Sequence, residues 1–152
     1  MPGGTARRVP ESGPMEDNWG NTSMAWVELV TILALLQFAF FAARVGKARG
    51  DYGVKAPAVA GHELFERYYR VQMNTLEQLA LFLPALWLGS RHLDPRWAAA
   101  IGAVYLVGRV IYYRAYIADP AKRGPGFTLS FLPSAVLLVA ALVGLVRGLA
   151  VG

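Results

Sequence analysis

No cysteine occurs in the 152 residues. That absence excludes disulfide frameworks, cysteine zinc sites and a protein thiol nucleophile, so any thiol chemistry must use a thiol carried by a substrate or cofactor. Charge is also scarce, at 16% of the chain against about 25% in an ordinary soluble domain. Together with 55% hydrophobic residues gathered in long blocks, this excludes a disordered chain, a collagen-like repeat and a conventional soluble enzyme fold. Acids are scarcer than bases, leaving a net charge of +5. A basic excess can mark nucleic-acid binding, but it is also expected where Lys and Arg hold membrane loops in the cytosol. The cations here fall largely between the apolar blocks, and no nucleic-acid partner is expected. His62 and His92 are isolated and lack ligand-spaced carboxylates, so no metal site is expected.

Residues 1–23 mix Gly and Pro with polar residues around no apolar stretch, and read as a disordered tail rather than a secretory signal. The rest, 24–152, reads as one membrane domain. Residues 24–43 supply about the 20 apolar positions that a spanning helix needs. The segment 44–62, with Arg44, Lys47, Arg49 and Lys55 among glycines and Pro57, reads as a basic loop. Further helices are expected over 63–89, 97–118 and 127–150, the last almost purely apolar. The fold class that follows is all-α, an integral membrane four-helix bundle. Counting Lys and Arg by loop puts 44–62 and 119–126 in the cytosol and both termini on the opposite side.

Ionisable residues within spanning segments mark a functional site or a water-filled cleft by default. In the second helix Arg67, Arg70, Asn74 and Glu77 advance by helical steps and share one stripe. In the third, Tyr105, Arg109, Tyr112 and Tyr116 form a second stripe. Two polar stripes invite a shared cleft. Its Arg70, Arg109 and Arg123 suit carboxylates, and its Glu77 suits an ammonium, so a zwitterion with several carboxylates is the fitting ligand. The plainer reading is that Arg70 and Glu77 form interhelical salt bridges that only hold the bundle. Gln72 faces elsewhere, roughly 200° from Arg70 around the helix; if it binds the same ligand, the site spans two subunits. Tyr68, Tyr69 and Tyr113 lie off the stripes and read as interfacial belt residues. Gly144 and Gly148 form a weak helix-contact motif. Glu28, one turn into the first helix, reads as an interfacial residue, with a proton-coupled exporter site as the alternative.

The run from Glu66 to Glu77, in the pattern E-R-x-x-R-x-Q-x-N-x-x-E, resembles the signature of the MAPEG family, membrane-associated proteins of eicosanoid and glutathione metabolism. Val104-Tyr105-Leu106, Gly108-Arg109-Val110 and Tyr112–Tyr116 resemble its third helix, and Arg123 with Leu132-Pro133 its fourth. The resemblance covers roughly residues 26 to 150. It implies a homotrimer of four-helix subunits binding glutathione as co-substrate between neighbours. Arg70, Asn74, Glu77, Tyr112 and Tyr116 would hold it from one subunit, with Gln72 and, less closely matched, Arg44 as further contacts. Arg109 matches a third-helix arginine, and Arg123 the arginine assigned to thiolate stabilisation. Gln78 departs from one branch of the family, which has a Tyr there. The activity implied is glutathione transfer, with glutathione peroxidase activity as a companion, to a lipophilic substrate entering from the bilayer. A non-catalytic lipid-binding relative would share the fold but lack the thiolate-stabilising arginine and the glutathione contacts.

Overall fold

A computed structural model describes residues 17–151, with side chains from Thr22 onward. It is an all-α bundle of four helices: α1 (Asp17–Asp51), α2 (Glu63–Gly89), α3 (Pro95–Ala118) and α4 (Gly124–Val151), with a short 3-10 helix, Pro120–Arg123, leading into α4. Local signals fix most ends. The His62 imidazole accepts the Leu64 N–H at 3.3 Å to cap α2, whose first turn carries Glu63 and Glu66, the favourable sign at a helix N-terminus. Asp94 accepts the Arg96 N–H at 2.8 Å and is followed by Pro95, a residue tolerated where no N–H is needed. Asp119 accepts the Ala121 N–H at 3.0 Å and so opens the 3-10 turn.

Two boundaries differ from the sequence expectation. Residues 1–16 of the expected tail lie outside the described residues, but 17–23 are helical. The prolines of that segment all precede residue 17, and an established helix extends at little cost. At its other end α1 continues to Asp51 through Gly46 and Gly50, so the expected loop 44–62 contracts to the stretch beyond Asp51. Each interior glycine costs only about 1 kcal/mol. Val45 and Ala48 are buried with Val54 and Phe65, and Arg49 lies over the Phe65 ring at 4.8 Å while donating to the Ala58 carbonyl at 2.8 Å. These tertiary contacts offset the local preference. Smaller differences occur at α3, which begins at Pro95 rather than 97, and α4, which begins at Gly124 rather than 127.

Helices α3 and α4 pack closely along their lengths, and α2 touches the other three. The main apolar core joins Val27, Val30, Phe82, Leu86, Tyr105 and Leu137, with the Tyr105 and Phe82 rings stacked at 3.8 Å. Tyr105 therefore belongs to the core, although it shares a sequence stripe with Tyr112 and Tyr116. Thr22–Asp51 and Pro120–Val151 are each long and apolar enough to cross a membrane. The outward faces are apolar, with Leu36, Trp97, Val139 and Leu142 among the exposed residues, the pattern expected of a bundle solvated by lipid rather than water.

Candidate functional site

The α3–α4 crossing sets the geometry. A Cβ added to Gly108 would lie 2.6 Å from the Ser130 nitrogen, and one added to Gly126 would collide with the Tyr112 backbone. Only glycine at these two places lets the helix backbones touch, the small-residue packing familiar between membrane helices. This crossing draws the start of α4 and the adjacent Arg123 toward the Tyr112 turn of α3. Neither glycine stands out by spacing; their meaning lies in the partner helix.

At that end a polar cavity of about 340 Å³ is lined by Arg70, Met73, Asn74 and Glu77 of α2, Tyr112 and Tyr116 of α3, and Arg123. The α2 stripe and part of the α3 stripe thus share one cleft. Met73 is an additional lining residue, adjacent in sequence to Asn74 and without a polar signal of its own. By helix rise, Arg70 and Glu77 stand about 10 Å apart along the axis, which separates a carboxylate-binding end from an ammonium-binding end.

The cavity has an ordered floor. Arg109 is wholly buried. Its Nη1 donates to Asn74 Oδ1 at 2.9 Å, its Nη2 to Thr75 Oγ1 at 2.6 Å, and its guanidinium lies 4.3 Å from the centroid of the Tyr112 ring. With Oδ1 held by Arg109, the Asn74 amide turns its Nδ2 toward Glu77, 3.4 Å away. Thr75 in turn donates to the Val71 carbonyl at 2.6 Å. Arg109 therefore does not line the cavity as a ligand-facing arginine; it sits beneath, its two Nη atoms hydrogen-bonded to the neutral Asn74 and Thr75, with its Nε unbonded and no acidic partner among the described residues.

The rim is the reverse. Arg70 has no hydrogen bond or ion pair among the described residues, and Glu77 meets only the Asn74 amide; the ion pairs are Lys47–Asp51, Arg67–Glu63 and Lys122–Asp119. Neither Arg70 nor Glu77 forms an interhelical salt bridge among the described residues. Arg123 lies 5.9 Å from the centroid of the Tyr116 ring and donates to the Pro120 carbonyl at 3.0 Å, which leaves most of its planar fork available. Tyr112 and Tyr116 stand 5.4 Å apart between their ring centroids.

Three residues of the sequence stripes and motifs lie elsewhere. Arg67 turns to the C-terminus of α3, where its Nη1 donates to the Ile117 and Ala118 carbonyls at 2.8 and 3.1 Å, a cation at the negative end of a helix. Arg44 donates to the hydroxyls of Tyr113 and Tyr68 at 3.2 and 3.1 Å, and Tyr113 stacks on Phe41 at 4.9 Å. Those two tyrosines hold an arginine rather than acting only as belt residues. Gln72 is half-buried and does not line the cavity, in keeping with its offset around α2. Gln78 is buried too, outside the lining. Glu28, the acid that an exporter would need at its centre, is exposed on α1.

Residues 27–143 match the model of the MAPEG family. Human microsomal glutathione S-transferase 2 is 38% identical over 116 residues, covering 76% of this chain and 79% of that protein. Bovine leukotriene C4 synthase is 36% identical over 100 residues, covering 66% and 67%. An uncharacterized protein of Synechocystis sp. is 48% identical over 124 residues, covering 82% and 90%. A family match across most of the chain, with relatives this similar and the motif residues gathered in one cleft, settles the classification: the chain belongs to the MAPEG family.

Proposed function

We propose that the protein is a membrane-bound glutathione transferase. The observation that carries this reading is a polar cavity whose rim charges, Arg70, Glu77 and Arg123, have no ion-pair partners among the described residues. Three exposed charges around one cavity, none engaged by an ion pair among the described residues, stand free to meet a ligand of complementary charge. Glutathione has that complement: a carboxylate for Arg70, an ammonium for Glu77 and a thiol whose anion suits Arg123. The names of the transferase and synthase relatives support the same class. Arg70, Asn74, Glu77, Tyr112 and Tyr116 hold the tripeptide, and Arg109 acts from below by fixing the Asn74 amide. Arg44 and Gln72, which face away from this cavity, serve the cavity of a neighbour in a homotrimer.

Free cysteine thiols have a pKa of about 8.5, so little thiolate exists at neutral pH. Arg123 stays protonated and cannot accept the thiol proton; it stabilises the anion electrostatically while water carries the proton away. The thiolate then attacks a lipophilic electrophile arriving from the bilayer, forming a carbon–sulfur bond as the leaving group departs with its electron pair. With a hydroperoxide, the thiolate attacks the outer oxygen and breaks the O–O bond, releasing the alcohol and leaving glutathione sulfenic acid, which a second glutathione converts to the disulfide and water. The cavity end, with the loop after Asp51 and the turn before α4, faces the cytosol, where glutathione is available.

Calorimetric titration of the detergent-solubilised protein with glutathione tests the binding, and conjugation of a chlorinated nitrobenzene tests the chemistry. Saturable binding with turnover is expected. Absence of any heat or thermal stabilisation at millimolar glutathione contradicts the proposal, because a ligand that prefers the native state must stabilise it.

A further inference from the structure

The end of the bundle opposite the polar cavity carries a second arrangement that the transferase reading does not use. Two cavities, of about 540 and 580 Å³, lie on the face of α4 and meet at His92. One is walled by aliphatic residues including Val136, Val139 and Val143 and closes on Arg147; the other runs along Leu138, Leu142 and Leu145 beside Arg91. We propose that this face binds an anionic phospholipid, with its phosphate among Arg91, His92 and Arg147 and its acyl chains in the two grooves.

Position, fixation and charge each support the assignment. Arg147 lies about 35 Å along α4 from Gly124 at 1.5 Å per residue, so it stands at headgroup depth on the far side of a hydrocarbon layer roughly 30 Å thick. From Ala135 to Arg147 the groove runs about 18 Å by the same rise, close to the acyl depth of one leaflet. The imidazole is fixed between the grooves by Gly144. A Cβ there would lie 2.5–2.6 Å from the His92 Cβ, Cγ and Nδ1, so the α2–α3 turn rests directly on α4.

Arg91 and Arg147 are exposed, and neither guanidinium takes part in an ion pair or hydrogen bond among the described residues. The local acid, Asp94, is occupied in capping α3 through the Arg96 N–H. The acid Glu28 belongs to α1, which packs against α2 and α3 rather than α4. A choline or ethanolamine headgroup would bring a cation into this basic cluster, whereas a phosphatidylglycerol headgroup brings only the phosphate charge.

The test is native mass spectrometry of the detergent-purified full chain with equimolar phosphatidylglycerol and phosphatidylcholine. Several-fold more phosphatidylglycerol adduct is expected. Arg91→Gln/Arg147→Gln should reduce it to the phosphatidylcholine level, whereas Lys55→Gln, in the loop at the opposite end, should leave it unchanged. Should the double variant not fold, Arg91→Lys/Arg147→Lys keeps the charge and should retain the preference, while Val139→Trp should fill one groove and lower adducts of both lipids. Equal adducts with the two lipids, or a preference surviving the neutral double variant, would overturn the proposal. So would a Val139→Trp chain of altered oligomeric mass, which would show that a second copy covers this face. Glutathione binding is read separately, so failure here leaves the transferase proposal standing, and the converse also holds.

Discussion

The floor and the rim of the polar cavity are built from the same residue types and treat them in opposite ways. On the floor, Arg109 is fully buried and bonded to Asn74 and Thr75. On the rim, Arg70 and Arg123 are exposed and lack acidic partners among the described residues. A buried guanidinium must take its hydrogen bonds from within the protein, because a buried polar group without them is costly. An exposed one can wait in water. If the floor holds shape and the rim supplies recognition, as proposed, substitutions in the two layers should separate stability from activity.

The largest effect is expected on the rim. Arg123→Ala should lower kcat about 100-fold or more, the scale seen when a group stabilising developing anionic charge is removed, while glutathione affinity changes much less. Arg123→Lys should recover only part, since an ammonium keeps the charge without the planar fork. An unchanged kcat would move the role to Tyr112 or Tyr116.

On the floor the losses should appear as stability. Gly126→Val forces a branched side chain against the Tyr112 backbone and should cost about 1–3 kcal/mol or more, measured as a lower Tm without ligand. Arg109→Leu should also lower that Tm, because Asn74 Oδ1 loses its buried donor at about 1–3 kcal/mol. It should weaken glutathione binding as well, by freeing the Asn74 amide to turn. An Arg109→Leu protein with unaltered Tm and weakened binding would break the comparison, since it would place Arg109 among the recognition residues.

Arg70→Ala and Glu77→Gln should weaken glutathione binding by about 10-fold or more, equivalent to 1.4 kcal/mol or above, with the ligand-free Tm nearly unchanged. Glu28→Gln, away from the cavity on an exposed face of α1, should change neither quantity beyond about twofold, within the scatter of ordinary surface substitutions. A large loss on Glu28→Gln with little on Glu77→Gln would favour an exporter.

The difference between floor and rim was only half legible in the sequence. The period of Arg70, Asn74 and Glu77 places them on one face of α2 because helical geometry is local, and the caps at His62, Asp94 and Asp119 are equally local. Whether an arginine on a stripe faces the cavity or sits beneath it depends on how the neighbouring helix is rotated. That rotation is set by Gly108 and Gly126 across the α3–α4 crossing, two residues whose significance exists only in the assembled bundle. For the same reason Arg109 looked like a recognition residue, and Arg67, on the α2 stripe, was not distinguishable from Arg70. The continuation of α1 past Gly46 follows from Val45 and Ala48 packing with Phe65, again a contact between distant segments. Helix identity was local information; facing direction was not.

The proposed role of Arg123, stabilising the glutathione thiolate, can be read from the ultraviolet absorbance of the bound thiolate followed against pH. Thiolate lies above the thiol's pKa and is lost as pH falls through it. In the unsubstituted protein the bound midpoint should stand well below the free value of about 8.5, so the absorbance persists at neutral pH. In Arg123→Ala the midpoint should rise toward that free value, with the signal small at pH 7 and restored at higher pH. Coincident titrations for the two proteins, at equal glutathione occupancy, would contradict the account.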